Sequence, residues 1–243
     1  MTALLSSEAL KFRTIRLFWI VVAVTIGLSG TIGFAASKIS ADQGDPLSPA
    51  SVAATPAQAS WFLCIVLAVV ASAGEFQHRT IRTTLLASPR RSRVLVAKSL
   101  VSSAYGAMLV ALGALTAVTA AWVTNVVLGE SFAGGGASWW HVLGTVAVGA
   151  VWSTMAVGIG VLTRSIAIAI AAVLLWRFVG EGVVPVVVGG DEIGQWTPTT
   201  LGDSIIGIGS SPVAPWAAGL ALATYSVVVC GLAAMLFLRR DPT

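Results

Sequence analysis

The chain has 243 residues, of which 56% are hydrophobic and only 10% charged, and its mean hydropathy is +0.90. Soluble domains carry about 25% charged residues, so this composition excludes an ordinary soluble protein and describes an integral membrane one. The formal net charge of +4 does not point to nucleic acid, because the basic residues lie at the ends of apolar runs instead of gathering on one soluble face.

At roughly 20 residues per span, about six spans and their loops use up the length, which leaves a single membrane domain over 1–243. Cys64 and Cys230 both fall within apolar runs and form no CxxC pair. Neither a disulfide framework nor a metal site is indicated, and both read as small core hydrophobes.

Ala3 to Arg16 places Leu5, Ala9, Phe12 and Ile15 at near-helical spacing, with Ser7, Lys11 and Thr14 on another face. This pattern predicts an amphipathic helix lying at the membrane interface over 1–16. Leu17 to Ala36 follows without a charge and is long enough to span. A cleaved signal peptide is the rival reading, but signal cores run only about 7–15 residues. Lys38 to Ser60, with Asp42, Asp45, Pro46, Pro49 and Pro56, reads as an external loop. Trp61 then opens the second span at an interface. Counted strictly to Ala73 that span is short, so it is expected to begin a few residues earlier and to run past Gly74, leaving Glu75 at its cytoplasmic end. Glu75 reads either as an interfacial carboxylate paired with a nearby arginine or as a residue that transmits motion.

The next stretch, Gly74 to Leu100 (GEFQHRTIRTTLLASPRRSRVLVAKSL), is the only long polar and basic segment; Arg79, Arg82, Arg90, Arg91, Arg93 and Lys98 fall in it. Flanked by apolar runs, it reads as a water-exposed loop, and its charge places it in the cytoplasm. Arg79 to Ser88 suits two to three helical turns, Pro89 stops them, and Arg90 to Lys98 leads into the third span. A basic juxtamembrane loop that merely fixes topology or touches anionic lipid is the plainer reading. The order Glu75, Thr80-Ile81, Leu85-Leu86, Pro89-Arg90-Arg91, Lys98 resembles the cytoplasmic coupling segment of ABC transporter permeases of the type-two exporter family. Arg79 stands where many members of that family carry glycine, which leaves the form of the turn open.

Val94 to Leu128 is too long for one perpendicular span at about 1.5 Å per residue, so its first turns should project into the cytoplasm, with Trp122 near the outer surface. Gly134-Gly135-Gly136 marks an external loop and lacks the lysine of a phosphate-binding loop. Trp139 and Trp140 open the fourth span in the aromatic belt, with His141 interfacial. Gly144, Gly149, Ala156 and Gly160 offer small surfaces for close helix contacts. Arg164 marks a cytoplasmic turn, and the fifth span starts at Ser165 and contains Arg177 and Glu181. The segment from there to Pro215 is too polar for a clean span and too apolar for a free loop. The last span runs from about Trp216 to Leu238, ended by Arg239-Arg240. In this arrangement twelve of the fourteen basic residues lie on the cytoplasmic side, and seven of the ten acids lie outside or near the outer end of a span. That bias supports six spans with both termini inside.

No GxxxxGK[ST], HExxH or GxSxG motif occurs, so neither P-loop ATP hydrolysis nor these hydrolase chemistries are expected of this chain. The resemblance implies an all-α membrane fold of six spans, with an N-terminal elbow helix, a coupling helix between spans two and three, and short outer-leaflet helices over 181–215. It implies the permease subunit of an ATP-driven exporter in the bacterial cytoplasmic membrane, paired with a second, identical or different, permease chain. Two copies of an ABC ATPase subunit would hold the ATP and Mg, so this chain would need no cofactor, and membrane lipid would be its other partner. The ATPase-coupling residues carried over are Glu75, Thr80, Ile81, Arg82, Leu85, Pro89, Arg90 and Arg91. Ile81 and Leu85 are expected as apolar anchors of a docked helix, with Arg82 on its rim. Arg177 and Glu181, four residues apart on one helical face, form a candidate gate or intramembrane pair. Glu181 is also the one candidate relay for the alternative reading, a proton-coupled secondary carrier or a structural membrane subunit.

Overall fold

The structure, a computed structural model, describes residues 1–44, 47–87, 90–132, 139–188, 191–208 and 213–239. Pro89, Asp45, the 134–136 glycines and Arg240 lie outside the described residues, as do the side chains of Arg82, Leu85 and Trp139. The described elements are helices: α1 (Thr2–Thr14), α2 (Arg16–Gln43), α3 (Pro49–Ala54), α4 (Ala57–Gln77), α5 (Ile81–Ala87), α6 (Arg91–Leu128) and α7 (Trp139–Thr163). After them come α8 (Ile166–Leu175), a π-helical turn over Trp176–Gly180, α9 (Glu181–Val188), α10 (Asp191–Gly194), α11 (Pro198–Ile206) and α12 (Pro215–Arg239). Six stretches are long and apolar enough to cross a membrane: Arg16–Gln43, Pro49–Gln77, Arg91–Leu128, Trp140–Thr163, Ile166–Val187 and Pro215–Arg239.

Helix α7 is the centre of the bundle, packed against α4, α6, α11 and α12, while α2 lies along α6. Lipid is as apolar as leucine, so helix association here depends on close packing. Small residues supply it. Phe18, Val21, Thr25, Ser29, Gly33 and Ser37 form the buried stripe of α2. A side chain at Gly33 would collide with the backbone of Ala117 on α6. At the far end of the same seam Ser37 hydrogen-bonds Asn125. Between α6 and α7, a side chain at Gly106 would strike Ser153 and the carbonyl oxygen of Gly149. The small positions of the fourth span are used in the same way, with Gly149 against Val110, Gly144 against Ile205 and Gly160 against Ser72.

The chain departs from the sequence expectation over 38–60. Helix α2 continues to Gln43 and is closed by Gly44 in the left-handed conformation (φ 68°). The prolines that read as breakers start helices instead: Pro49 opens α3, whose N-cap Ser48 accepts a hydrogen bond from the Ser51 amide, and Pro56 caps α4. Proline suits the first turn because its missing N–H would have no partner there. Trp61 is accordingly one turn inside α4 and 3% exposed. Helix α4 begins before Trp61 and runs past Gly74, as its length required.

Contacts sort the charged residues to two ends of the bundle. Glu8, Lys11, Glu75 and Lys98 meet at one end. Nearby Arg91 donates to the Phe237 carbonyl and the Arg164 guanidinium lies over the Phe76 ring, 5.4 Å from its centroid. Gln58, Glu181, Thr199 and Asp203 meet at the other end. Gln58 and Glu75 are 17 positions apart on α4, about 26 Å at 1.5 Å per residue, close to a hydrocarbon thickness.

Candidate functional site

The basic end is built on four helices. Helix α1 presents Leu5, Ala9 and Phe12 inward as its spacing predicts, and Phe12 stacks on Tyr105 of α6 with ring centroids 4.9 Å apart. The Tyr105 hydroxyl donates to the Ala9 carbonyl at 3.2 Å, which fixes α1 along α6. The same face also carries Glu8, 1% exposed, and Lys11, which the sequence pattern had assigned to the outer face. One turn apart, the two pair at 2.5 Å.

Around this pair a closed charge network forms. Lys98 of α6 reaches the other Glu8 oxygen at 2.9 Å and Glu75 Oε1 at 2.9 Å, and donates to the Ala71 carbonyl at 3.3 Å. Lys11 also reaches Glu75 Oε1 at 2.8 Å and donates to the Thr84 hydroxyl of α5 at 3.3 Å. Two carboxylates face two ammonium groups, so the net charge is zero. Among the described residues Glu75 is thus paired with lysines and not with an arginine. Lys98, 3% exposed, is not part of a water-exposed loop. Its three N–H donors all have acceptors, which is what a buried ammonium requires. Burial pushes the Glu8 carboxyl up, but the Lys98 charge and the Lys11 and Lys98 hydrogen bonds outweigh it and hold Glu8 below its ordinary value. Burial alone would lower Lys11, and its bonds to Glu75 and Glu8 raise it instead. Glu75 Oε2 is buried without a hydrogen-bond partner among the described residues.

Helix α5 hangs from this network. The turn between α4 and α5 places Arg79 at φ 59°, the left-handed region that glycine occupies freely, so the turn has the form glycine favours even with arginine in it. The Thr80 hydroxyl points back at the Glu75 carbonyl at 3.5 Å. Ile81 is 4% exposed and packed into the main core. It seats α5 on its own chain, so it is not free to anchor the helix in a partner. Leu86, by contrast, is 85% exposed. Arg90 is exposed, and Arg91 ties the start of α6 to the end of α12 through the Phe237 carbonyl at 3.1 Å; neither joins the charge network.

At the opposite end, Arg177 and Glu181 do pair, at 3.4 Å. Glu181 is held more firmly by a group absent from the sequence reading: Thr199 donates to its Oε1 from both the amide, at 3.1 Å, and the hydroxyl, at 2.8 Å. Asp203 accepts from Gln58 at 2.9 Å. Its carboxyl is pushed up by burial, against the opposing pull of Gln58 and Arg177.

Glu8 is the network residue that sequence reasoning did not name, while Lys11 was read as lying on the outer face of α1 and Lys98 as part of the basic stretch, neither as a buried ion-pair partner. The available signal was a glutamate and a lysine at i, i+3 on an otherwise apolar helix face, and a lysine set among Val94, Leu95, Ala97 and Val101.

No curated protein sequence matches the chain. The family model for ABC-2 family transporter proteins matches residues 4–180, a span that holds the charge network, α5 and the first five apolar stretches as far as the π-helical turn. The chain belongs to the ABC-2 family of transporter proteins and is a multi-pass membrane subunit of permease type.

Proposed function

We propose that this chain is the permease of an ATP-driven exporter, with ATP and Mg held by a separate ABC ATPase subunit that docks on α5. One observation carries the reading. Helix α5 exposes Leu86 while Ile81 and the Thr84–Lys11–Glu75–Lys98 chain fasten it to α1, α4 and α6. A displacement of α5 is therefore passed to two spanning helices through short hydrogen-bonded contacts. Glu75, Thr80, Ile81, Arg82, Leu85, Pro89, Arg90 and Arg91 make up the coupling segment, with α1 as the interfacial elbow. Ile81 acts as the inward hinge contact and Leu86 as the outward anchor. The basic end faces the cytoplasm of a bacterial cell, as the clustering of arginine and lysine there favours. Two permease chains and two ATPase subunits complete the assembly, and closure of the ATPase pair switches the path between the permeases by alternating access.

Anchor side chains carry most of an interface's energy, so Leu86→Asp is the direct test. The variant should insert and purify as the unaltered protein does, but lose ATPase co-purification and the stimulation of ATP hydrolysis by permease in proteoliposomes. Unchanged stimulation would refute docking through α5.

A further inference from the structure

A cavity of about 290 Å³ lies between α4, α7 and the α8–π-turn segment, near the Gln58 end of the bundle. Trp61, Trp152, Trp176, Met155 and Ile65 form its apolar wall, and Arg177 is the single ionic group lining it. Trp61 and Trp152 are 3% and 6% exposed, and the indole N–H of each is buried without an acceptor among the described residues. A buried indole N–H ordinarily finds a partner. Neither nitrogen is exposed to the open space of the cavity, so the two indoles wall it as apolar rings.

The π-helical turn shapes the same wall. An extra residue per turn shifts the side chains that follow, and such turns recur at functional sites. Here the turn contains Trp176 and Arg177, and the Trp176 ring lies across Gly180, where a Cβ would come within 2.9 Å of it. Phe62 and Trp176 remain 39% and 43% exposed, so the cavity is open between α4 and the π turn.

Arg177 is a cation, and the other polar groups lining the cavity among the described residues are neutral. These are Gln58, which gives an amide N–H to Asp203, and Thr199. Arg177 gives Glu181 a single long hydrogen bond of 3.4 Å. The carboxylates of Glu181 and Asp203 line a separate polar hollow beside Arg177.

We propose that this cavity is a ligand site for an apolar, aromatic-sized molecule bearing a single negative charge, and not for a cation. Resting on the transport reading above, this names the substrate class of the permease. Indole faces and Met155 take the body of the molecule, and Arg177 takes the negative charge at the rim. An anionic lipid and a free aromatic acid share this chemistry.

The test uses the purified permease alone, in discs of zwitterionic lipid, with anilinonaphthalene sulfonate as the probe and energy transfer from tryptophan as the signal. A saturable component is expected. Arg177→Gln should weaken it about tenfold, as loss of a charge-assisted bond does, and leave binding of the uncharged phenylnaphthylamine unchanged. Glu181→Gln breaks the ion pair but spares the guanidinium, and should bind the sulfonate at least as well as the unaltered protein. Competition from phosphatidylglycerol added to the discs would assign the site to a lipid anion, and its absence to a free one. Linear partitioning without saturation, displacement by tetraphenylphosphonium, or unaltered sulfonate affinity in Arg177→Gln would each overturn the proposal. Because no ATPase is present, failure here with ATP-coupled transport intact rejects the ligand site alone. Saturable binding without any ATP-coupled transport rejects the exporter reading alone.

Discussion

Lys98→Met is the sharpest perturbation of the charge network. Methionine keeps the straight apolar stem and the volume while removing the ammonium, so the change isolates charge from packing. Glu8 and Glu75 would then share Lys11 alone and the network would carry one net negative charge. Lys98 is 3% exposed and Glu8 1%, so water cannot replace what is lost. Removing one partner of a buried ion pair costs about 3–5 kcal/mol. At the lower figure the unfolding midpoint should fall by roughly 6–12 °C for a chain of this size. A thiol-reactive dye provides the assay in a Cys230→Ser background, because Cys64 is 1% exposed and reacts only when the bundle opens, whereas Cys230 is half-buried. The second arm is Glu8→Gln combined with Lys98→Met, which restores neutrality as a Lys11–Glu75 pair and should recover about 1–3 kcal/mol of the loss. An unshifted midpoint for Lys98→Met, or a double variant no more stable than the single one, would show that Lys98 is not held by these carboxylates.

Other outcomes follow from the same geometry. Glu8 titrates below its ordinary value of 4.5, so its contribution is present above that value and is lost as pH falls through the folded value. Lys11 titrates above its ordinary 10.5, so its contribution is present below 10.5 and is lost as pH rises through the folded value. A midpoint against pH should therefore be flat through neutrality and fall at both extremes, and Glu8→Gln should flatten the acid limb. Asp203 titrates above its ordinary 3.8, so its burial destabilises the ionised protein at neutral pH and acidification relieves this. Asp203→Asn should raise the midpoint at neutral pH and lose that advantage below about 3.8, and a lower midpoint at neutral pH would reverse the assignment. Arg79→Gly relieves about 1–2 kcal/mol of left-handed strain but frees the unfolded chain by about 0.5–1 kcal/mol, so a gain of at most about 1.5 kcal/mol is expected in the same dye assay.

The six spans were legible because each needs only a long apolar window, and a window is a local property. The boundaries over 38–60 were not, because proline breaks a helix from within and starts one from its first turn, and only the Ser48 cap distinguishes the two at Pro49. The basic stretch holds a helix at Ile81–Ala87, while Pro89, which the reading made its stop, lies outside the described residues. Its inner end was misread, since Lys98 counts as an exposed charge until its partners are known. Those partners are 90 and 23 positions away, beyond any periodicity. Arg177 and Glu181 were found because four residues on a helix is a contact distance, whereas Thr199 comes from a different helix 18 positions on.

The composition of the α1–α4–α5–α6 junction argues for what it does. A buried ion-pair cluster is seldom more stable than apolar side chains of the same volume, and replacement by such side chains is often neutral or favourable. Stability alone therefore gives no reason for four charged groups at the meeting point of four helices in an otherwise apolar bundle. Apolar contacts are also non-directional, so a helix seated on them can slide by a fraction of a turn at little cost. The lysines have no such freedom: Lys98 divides its donors among Glu8, Glu75 and Ala71, and Lys11 among Glu8, Glu75 and Thr84. A slide of α1 against α6 must break the Lys98–Glu8 contact, which water does not restore at 3% and 1% exposure, whereas the Lys11–Thr84 contact of α5 is partly open to water. The network thus stiffens the α1–α4–α6 junction, and on the docking proposed above a load on the exposed seven-residue α5 would reach α4 and α6 through it.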